Sequence, residues 1–247
     1  MPTYETSSRL ELRDRAATLN DKYAGRPAGD VVSAVLRDEF QGKVALVSSF
    51  GTEAAVLLHM LAEVDLEAPV VFLETFKHFP ETIDYRNRLT GMLRLQNLKV
   101  VEPTAAAIKA DDPNDDLRQR NSDLCCHVRK TLPLFHALNP MQCWITGRKR
   151  YQASTRTAMQ LFEVQDRWIK VNPLIDWLPE DIDLYFARHK LPQHPLKLKG
   201  FLSIGCAPCT RAVMPGEDPR AGRWADSGKT ECGIHIENGK VVRSNQA

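Results

Sequence analysis

The chain has 247 residues, enough for one large domain or one domain with appendages. With 43% hydrophobic and 26% charged residues and a net charge of +2, it has an ordinary globular composition. No global field demands a nucleic acid or a membrane surface as partner. Met1 to Arg15 lacks the apolar stretch of a signal peptide, and no apolar run approaches the roughly 20 residues that cross a bilayer, so a cytoplasmic location is expected.

Hydrophobic spacing predicts two opening helices, the second over Asp30 to Phe40, where Val32, Val35, Leu36 and Phe40 share a face. A strand follows over Lys43 to Ser49, then a helix over Glu53 to Val64 and a strand over Pro69 to Glu74. Pro80 suits a helix first turn and starts a helix through Leu93. Leu98 to Glu102 reads as a strand, Ser122 to Leu138 as mostly helix, and Gln142 to Thr146 as a strand ending at Gly147. Leu161 to Val171 reads as an added hairpin or edge, and Pro179 to Lys190 as a last regular helix. Strand alternating with helix at this rhythm predicts an α/β fold, a Rossmann-like parallel sheet with helices on both faces. After Met214 glycine, proline and charge dominate. Residues 1–214 are expected to form the main domain, and 215–247 a mobile C-terminal arm.

Six cysteines in a cytosolic chain are more readily ligands, nucleophiles or core residues than disulfides. Cys206-Ala207-Pro208-Cys209 alone is compatible with a redox dithiol, zinc or a cluster. Cys125 and Cys126 are adjacent, with Cα atoms about 3.8 Å apart. That is awkward for one tetrahedral ion but workable in a cubane, where each thiolate takes its own iron. The plainer alternative makes Cys125 and Cys126 helix-packing residues and leaves the other pair as an isolated dithiol. Cys143, on a predicted strand, reads as a core thiol. Cys232, in Lys229-Thr230-Glu231-Cys232-Gly233-Ile234-His235, has a nearby lysine and histidine and flexible glycines, and is a candidate nucleophile; Glu231 opposes thiolate formation.

The turn Ser48-Ser49-Phe50-Gly51-Thr52-Glu53 joins strand to helix, where backbone N–H groups and the helix N-terminus can meet an anion. It is neither a phosphate loop of the Walker type nor a dinucleotide fingerprint. Basic residues gather at Gly147-Arg148-Lys149-Arg150 through Arg156, at Arg129-Lys130, and at Arg211, Arg220 and Arg223. A solvated surface explains any one of them. Three groups, each tied to a cysteine motif or a strand end, favour a phosphate or sulfate clamp.

Taken together and in order, these motifs resemble the assimilatory adenylyl-sulfate reductases, relatives of the phosphoadenylyl-sulfate reductases. The carriers run from the Ser48–Gly51 loop through His78-Phe79-Pro80-Glu81-Thr82, Cys125-Cys126-His127-Val128-Arg129-Lys130, Thr146 to Arg156, Ile204-Gly205-Cys206 to Arg211, and Gly222-Arg223-Trp224, to Glu231-Cys232-Gly233-Ile234-His235. The resemblance implies an adenine-nucleotide α-hydrolase-like fold and a [4Fe–4S] cluster on Cys125, Cys126, Cys206 and Cys209. It also implies reduction of adenylyl sulfate to sulfite and AMP, within sulfate assimilation and cysteine biosynthesis. Cys232 would attack the sulfur to give an S-sulfocysteine, which thioredoxin or a similar dithiol resolves. Ser48, Ser49, Phe50, Gly51, Lys130, Arg148, Arg156, Arg220, Arg223 and His235 would contact the nucleotide. Neither nucleic acid nor membrane is an expected partner, and a homo-oligomer stays open.

This sequence departs from the family pattern at Glu74, where Asp is usual, at Phe76, where Gly is usual, at His127, where Gly is common, and at Val47, in place of a serine. The rivals are a reductase of the 3′-phosphorylated nucleotide or of both nucleotides, a cluster-bearing ATP-pyrophosphatase that modifies tRNA, and a zinc-stabilised nucleic-acid-binding module. Cys232 has no role in the second, and the near-neutral charge opposes the third.

Overall fold

The computed structural model describes residues 4–153, 156–225, 234, 236–237 and 240–241. Two helices open the chain, α1 (Tyr4–Tyr23) and α2 (Ala28–Ala34), the latter running into a π turn at Val35–Glu39. Strand and helix then alternate: β1 (Val44–Val47), α3 (Ala54–Val64), β2 (Val70–Leu73), α4 (Pro80–Met92) and β3 (Leu98–Val101). Short helices α5 (Ala105–Asp111), α6 (Leu117–Arg120) and α7 (Ser122–Cys126) lead through a π turn at His127–Thr131 into α8 (Leu132–Leu138). After β4 (Cys143–Ile145) come the hairpin β5 (Phe162–Gln165) and β6 (Trp168–Val171), then α9 (Pro179–Arg188). A two-residue ladder, β7 (Ile236–Glu237) against β8 (Lys240–Val241), closes the described chain.

The sheet order is β3-β2-β1-β4-β6-β5, parallel throughout except for the antiparallel β5–β6 pair. The predicted hairpin is therefore half inside the sheet: β6 pairs with β4 and only β5 lies at the edge. The expected parallel sheet is present, and the period-two alternation of strand side chains explains its two layers. Val44, Leu46, Val70, Phe72, Cys143, Ile145, Ile169 and Val171 face one core, shared with the opening helices, α3, α4 and α9. Ala45, Val71, Leu73, Trp144 and Trp168 face the other, beneath Leu134 and Leu138 of α8 and next to Ile234. Cys143 is fully buried, as its strand position implied.

Pro80 occupies the first turn of α4, where its missing N–H costs nothing. Asn121 caps α7 by accepting from the Leu124 N–H, fixing the short helix that carries Cys125 and Cys126. Beyond Met214, the backbone at Gly222 and Trp224 pairs with Arg211 and Cys209, and Trp224 is buried. No described helix is long and apolar enough to cross a membrane.

Candidate active site

The chain runs outward from β1 to β2 and β3, then returns to place β4 on β1's other side. The strand order therefore reverses between β1 and β4, where an open parallel sheet forms a crevice at its carboxyl ends. A cavity of about 380 Å³ lies there. Ser48, Ser49 and Gly51 from the β1–α3 turn line it, as do Thr146, Gly147 and Arg148 from the end of β4.

Lys130, Arg148, Arg156, Arg220 and Arg223, five positions expected to hold the nucleotide, all line this cavity. Phe50 does not line it. Its side chain is fully buried in the core against the Phe72 ring, at φ 51°, so any contact it makes with a ligand must come from its backbone. His235 and Cys232 lie outside the described residues, but Ile234 between them forms part of the cavity wall.

Lysines add to this charge. Lys149 and Lys170 also line the cavity, giving seven basic residues there against two acidic ones, Glu53 and Asp218, among the described residues. A protein of near-neutral net charge has thus concentrated positive charge in one crevice, the requirement for holding a polyanion. Lys149 is buried and pairs with Glu53 at 2.7 Å; the same carboxylate accepts from Tyr151 and Gln152. Arg148 pairs with Glu163, which also accepts from Asn172 at 2.9 Å. Burial, with Arg148 close by, brings the Lys170 ammonium down to about 7. His78, another cavity residue, is pushed towards its neutral form chiefly by burial, and its Nε2 lies 2.9 Å from the Leu73 carbonyl oxygen that it can donate to.

The tail reaches the cavity through two close approaches. Arg223 passes directly over Gly205, where a Cβ would lie 2.3 Å from Nη2, and donates to the Ile204 carbonyl at 3.1 Å. Its guanidinium stacks on Trp224 at 4.2 Å. Gly222 lets the chain run beside Arg211, whose carbonyl oxygen would be 2.2 Å from a Cβ there, and accepts the Arg211 N–H at 2.9 Å. At Gly222 glycine is required by sterics, since the close atom is backbone, whereas at Gly205 it leaves room for the Arg223 side chain.

A second, smaller pocket adjoins the first. Cys125, Cys126, Cys206 and Cys209 all line it, and two of its walls, Lys130 and Cys206, are shared with the nucleotide cavity. So the two cysteine pairs, 80 residues apart in sequence, meet. The Cys206–Cys209 turn is tied down by Ala207 N–H to the Lys77 carbonyl at 2.7 Å, and Thr75 Oγ1 lies 3.4 Å from Cys206 Sγ. Burial raises the Cys125 thiol, with Cys206 and Cys209 adding to the rise and Arg129 opposing it. Four thiols lining one small pocket, with Cys125 held in its neutral form unless a positive centre offsets the cost, are the fit this pocket offers to a metal group. Among the described residues, no three His, Cys, Asp or Glu side chains close on one point as for a single ion.

Arg129 fixes the wall behind these thiols. It is buried and donates to Asp112 at 2.6 Å, Asp115 at 3.0 Å and the Thr75 carbonyl at 2.8 Å. The π turn that carries it inserts one residue into the helix, letting Arg129 point to the carboxylates while Lys130 reaches the cavity. Phe76, in the loop facing this pocket, has φ 58°, the conformation glycine takes freely, and its N–H donates to Glu74 at 2.7 Å. Both departures from the family pattern in that loop therefore meet in one turn.

Comparison with known proteins agrees with this geometry. The phosphoadenosine phosphosulfate reductase domain matches residues 43–212. An adenosine 5′-phosphosulfate reductase of Mesorhizobium japonicum is 47% identical over 92% of this chain and 89% of its own length. A phosphoadenosine 5′-phosphosulfate reductase of Gloeobacter violaceus is 40% identical over 79% and 83%. The crystal structure of phosphoadenylyl-sulfate reductase from Candida auris, a phosphate complex, has the same fold, with a TM-score of 0.68 over 81% of this chain and 97% of that one, at 23% identity. As its motifs implied, the chain belongs to the phosphoadenosine phosphosulfate reductase family.

Proposed function

We propose that this protein is a cytoplasmic, thioredoxin-dependent adenylyl-sulfate reductase with Cys232 as its nucleophile. The observation that carries the reading is the shared wall: Lys130 and Cys206 belong both to a strongly basic cavity at the sheet's switch point and to a pocket lined by four cysteines. Relatives named for the same activity at up to 47% identity support the substrate.

Adenosine and its 5′-phosphate occupy the crevice beside Ser48, Ser49 and Gly51. Lys130, Arg148, Arg156, Arg220 and Arg223 offset the charge of the phosphosulfate, which lets a second anion, the Cys232 thiolate, approach. The thiolate attacks sulfur; an S–S bond forms, the S–O bond to phosphate breaks, and AMP leaves with the electron pair. One thiolate of thioredoxin then attacks Cys232 Sγ and displaces sulfite. Its second thiol resolves the mixed disulfide, regenerating Cys232 and leaving oxidised thioredoxin, so the dithiol supplies both electrons.

Cys125, Cys126, Cys206 and Cys209 would hold a [4Fe–4S] cluster, whose core would offset part of the charge of its four thiolates and would fix the two cysteine segments beside Lys130. The adjacent pair, the rise that Cys206 and Cys209 add to the Cys125 thiol, and the shared pocket support that assignment.

The test is anaerobic purification, iron and sulfide analysis, and a single turnover with sulfur-labelled adenylyl sulfate. Four irons per chain and label releasable as sulfite from Cys232 are expected. A colourless zinc protein refutes the cluster, and label on another cysteine refutes the nucleophile. The Gloeobacter relative favours a second reading, use of the 3′-phosphorylated nucleotide. Faster sulfite release from that nucleotide would establish it.

A further inference from the structure

On the sheet face that carries Trp144 and Trp168, the hairpin β5–β6 places three polar side chains that the reaction scheme does not use. Glu163 and Lys170 are direct partners across the ladder, and Gln165 lies two residues further along β5. Gln165 and Lys170 are both buried. Lys170 Nζ donates to Gln165 Oε1 at 2.8 Å, and Gln165 Nε2 donates to the main-chain carbonyl of Ile234 at 3.0 Å. Lys170 also lies 3.7 Å from Glu163 and 5.3 Å from the centre of the Trp144 ring.

The amide of Gln165 has one orientation open to it. The Ile234 carbonyl can only accept, so the –NH2 must face it and the amide oxygen must face Lys170, whose Nζ has a hydrogen to give in either protonation state. Ile234 also packs beside the core containing Trp144 and Trp168, and it forms part of the nucleotide cavity wall. Gln165 itself does not line that cavity. It therefore touches the tail without touching the nucleotide.

Ile234 lies two positions after Cys232, a reach of at most about 7 Å between Cα atoms. We propose that Gln165, oriented by Lys170, is a positioning residue that holds the chain at Ile234 and so sets the approach of the adjoining nucleophile to its substrate. The proposal rests on Cys232 being that nucleophile. It assigns Gln165 an effect on the covalent step much larger than any on nucleotide affinity, because a misplacement of about 1 Å can cost a reaction about a hundredfold.

Gln165→Glu is the sharp test, being isosteric. It keeps a partner for Lys170 but sets an anionic oxygen against the Ile234 carbonyl. Gln165→Met removes both hydrogen bonds without adding charge. Each is measured in single turnover, as the rate of S-sulfocysteine formation at Cys232 with saturating adenylyl sulfate. AMP affinity, measured by calorimetry, reports an intact cavity. The expected result is a covalent step slowed about tenfold or more in both variants, with AMP affinity within about threefold of wild type. The proposal is overturned if either variant that binds AMP normally also forms the adduct within twofold of the wild-type rate. It is equally overturned if affinity and rate fall in parallel, since Gln165 would then act on the nucleotide site. Wild-type protein that forms no adduct at Cys232 overturns the nucleophile assignment instead, so the two failures are told apart.

Discussion

Replacing Gly205 by alanine separates a local steric effect from a loss of stability. The new Cβ would lie 2.3 Å from Arg223 Nη2 and 2.6 Å from Cζ, both at the far end of a flexible side chain. The guanidinium must retreat by about 1.0 to 1.5 Å to restore ordinary contact. At an effective dielectric constant near 20, a charge pair is worth about 4 kcal/mol at 4 Å and about 3 kcal/mol at 5.5 Å. The retreat therefore removes about 1 kcal/mol of attraction for the nucleotide's anionic groups, roughly a fivefold loss of affinity. Chemical denaturation should move by less than about 1 kcal/mol, because no backbone has to shift. The assay is AMP binding by calorimetry in a double-mutant cycle with Arg223→Ala. If Gly205 acts only by making room for Arg223, Gly205→Ala costs almost nothing once Arg223 is gone. Unchanged AMP affinity in the single variant, or an undiminished cost in the Arg223→Ala background, refutes the reasoning.

Gly222→Ala should behave in the opposite way. Its Cβ would meet the Arg211 carbonyl oxygen at 2.2 Å, a backbone atom that cannot swing aside, so a lower Tm and a stability loss of about 2 kcal/mol are expected. Phe76→Gly should leave the fold intact and raise stability by up to about 1 kcal/mol, since φ 58° strains phenylalanine and its side chain is 57% exposed. Denaturant melts check both. Nucleotide binding should take up protons near pH 8. Lys170 has been brought down to about 7 by burial, with Arg148 and Arg156 adding to the fall and Glu163 opposing it, and an anion in the cavity favours the charged ammonium. Calorimetry of AMP binding in buffers of different ionisation enthalpy should show that uptake in wild type and not in Lys170→Met. The same shift makes Lys170 cost stability in full below about pH 7, where the buried ammonium stays charged, and the cost fades as pH rises towards 10.5. Urea melts at pH 7 and pH 9 should therefore show wild type gaining on Lys170→Met.

The parallel sheet was legible because its strands are short apolar runs separated by helical spacing, and every one of β1 to β6 falls inside a segment read as strand or hairpin. The short helices α5 and α6 were not, since four to seven residues give too little period to detect. Ile236–Glu237 and Lys240–Val241 flank Asn238-Gly239, a dipeptide that signals a two-residue hairpin and was available in the sequence. At the site, the arginines that follow strand ends or cysteine motifs were legible because their neighbours carry a pattern. Lys170 was not: Trp168-Ile169-Lys170-Val171 reads as an ordinary strand, and only the register against Glu163 reveals a buried polar row. Phe50 shows the limit of motif reading, for its place in the turn is right while its ring serves the core.

That placement of Phe50 bears on how so much charge is held still. Bulky residues at positive φ are costly, yet Phe50, in the turn beside the cavity, and Trp224, in its wall, both take φ 51°. Each is almost wholly buried, Phe50 at 0% exposure and Trp224 at 3%. Burying a large aromatic ring contributes about 2 to 3 kcal/mol, enough to offset the strain of one left-handed residue. The ring of Phe50 thus anchors a turn whose remaining members, Ser48, Ser49 and Gly51, are small enough to leave the crevice open. Trp224 does the same for Arg223, giving the guanidinium a face to stack on while Gly205 lets it pass. Apolar burial beside the cavity is what allows mutually repelling cations to stay at fixed positions before any anion arrives. Exposing either anchor should cost nucleotide affinity as well as stability.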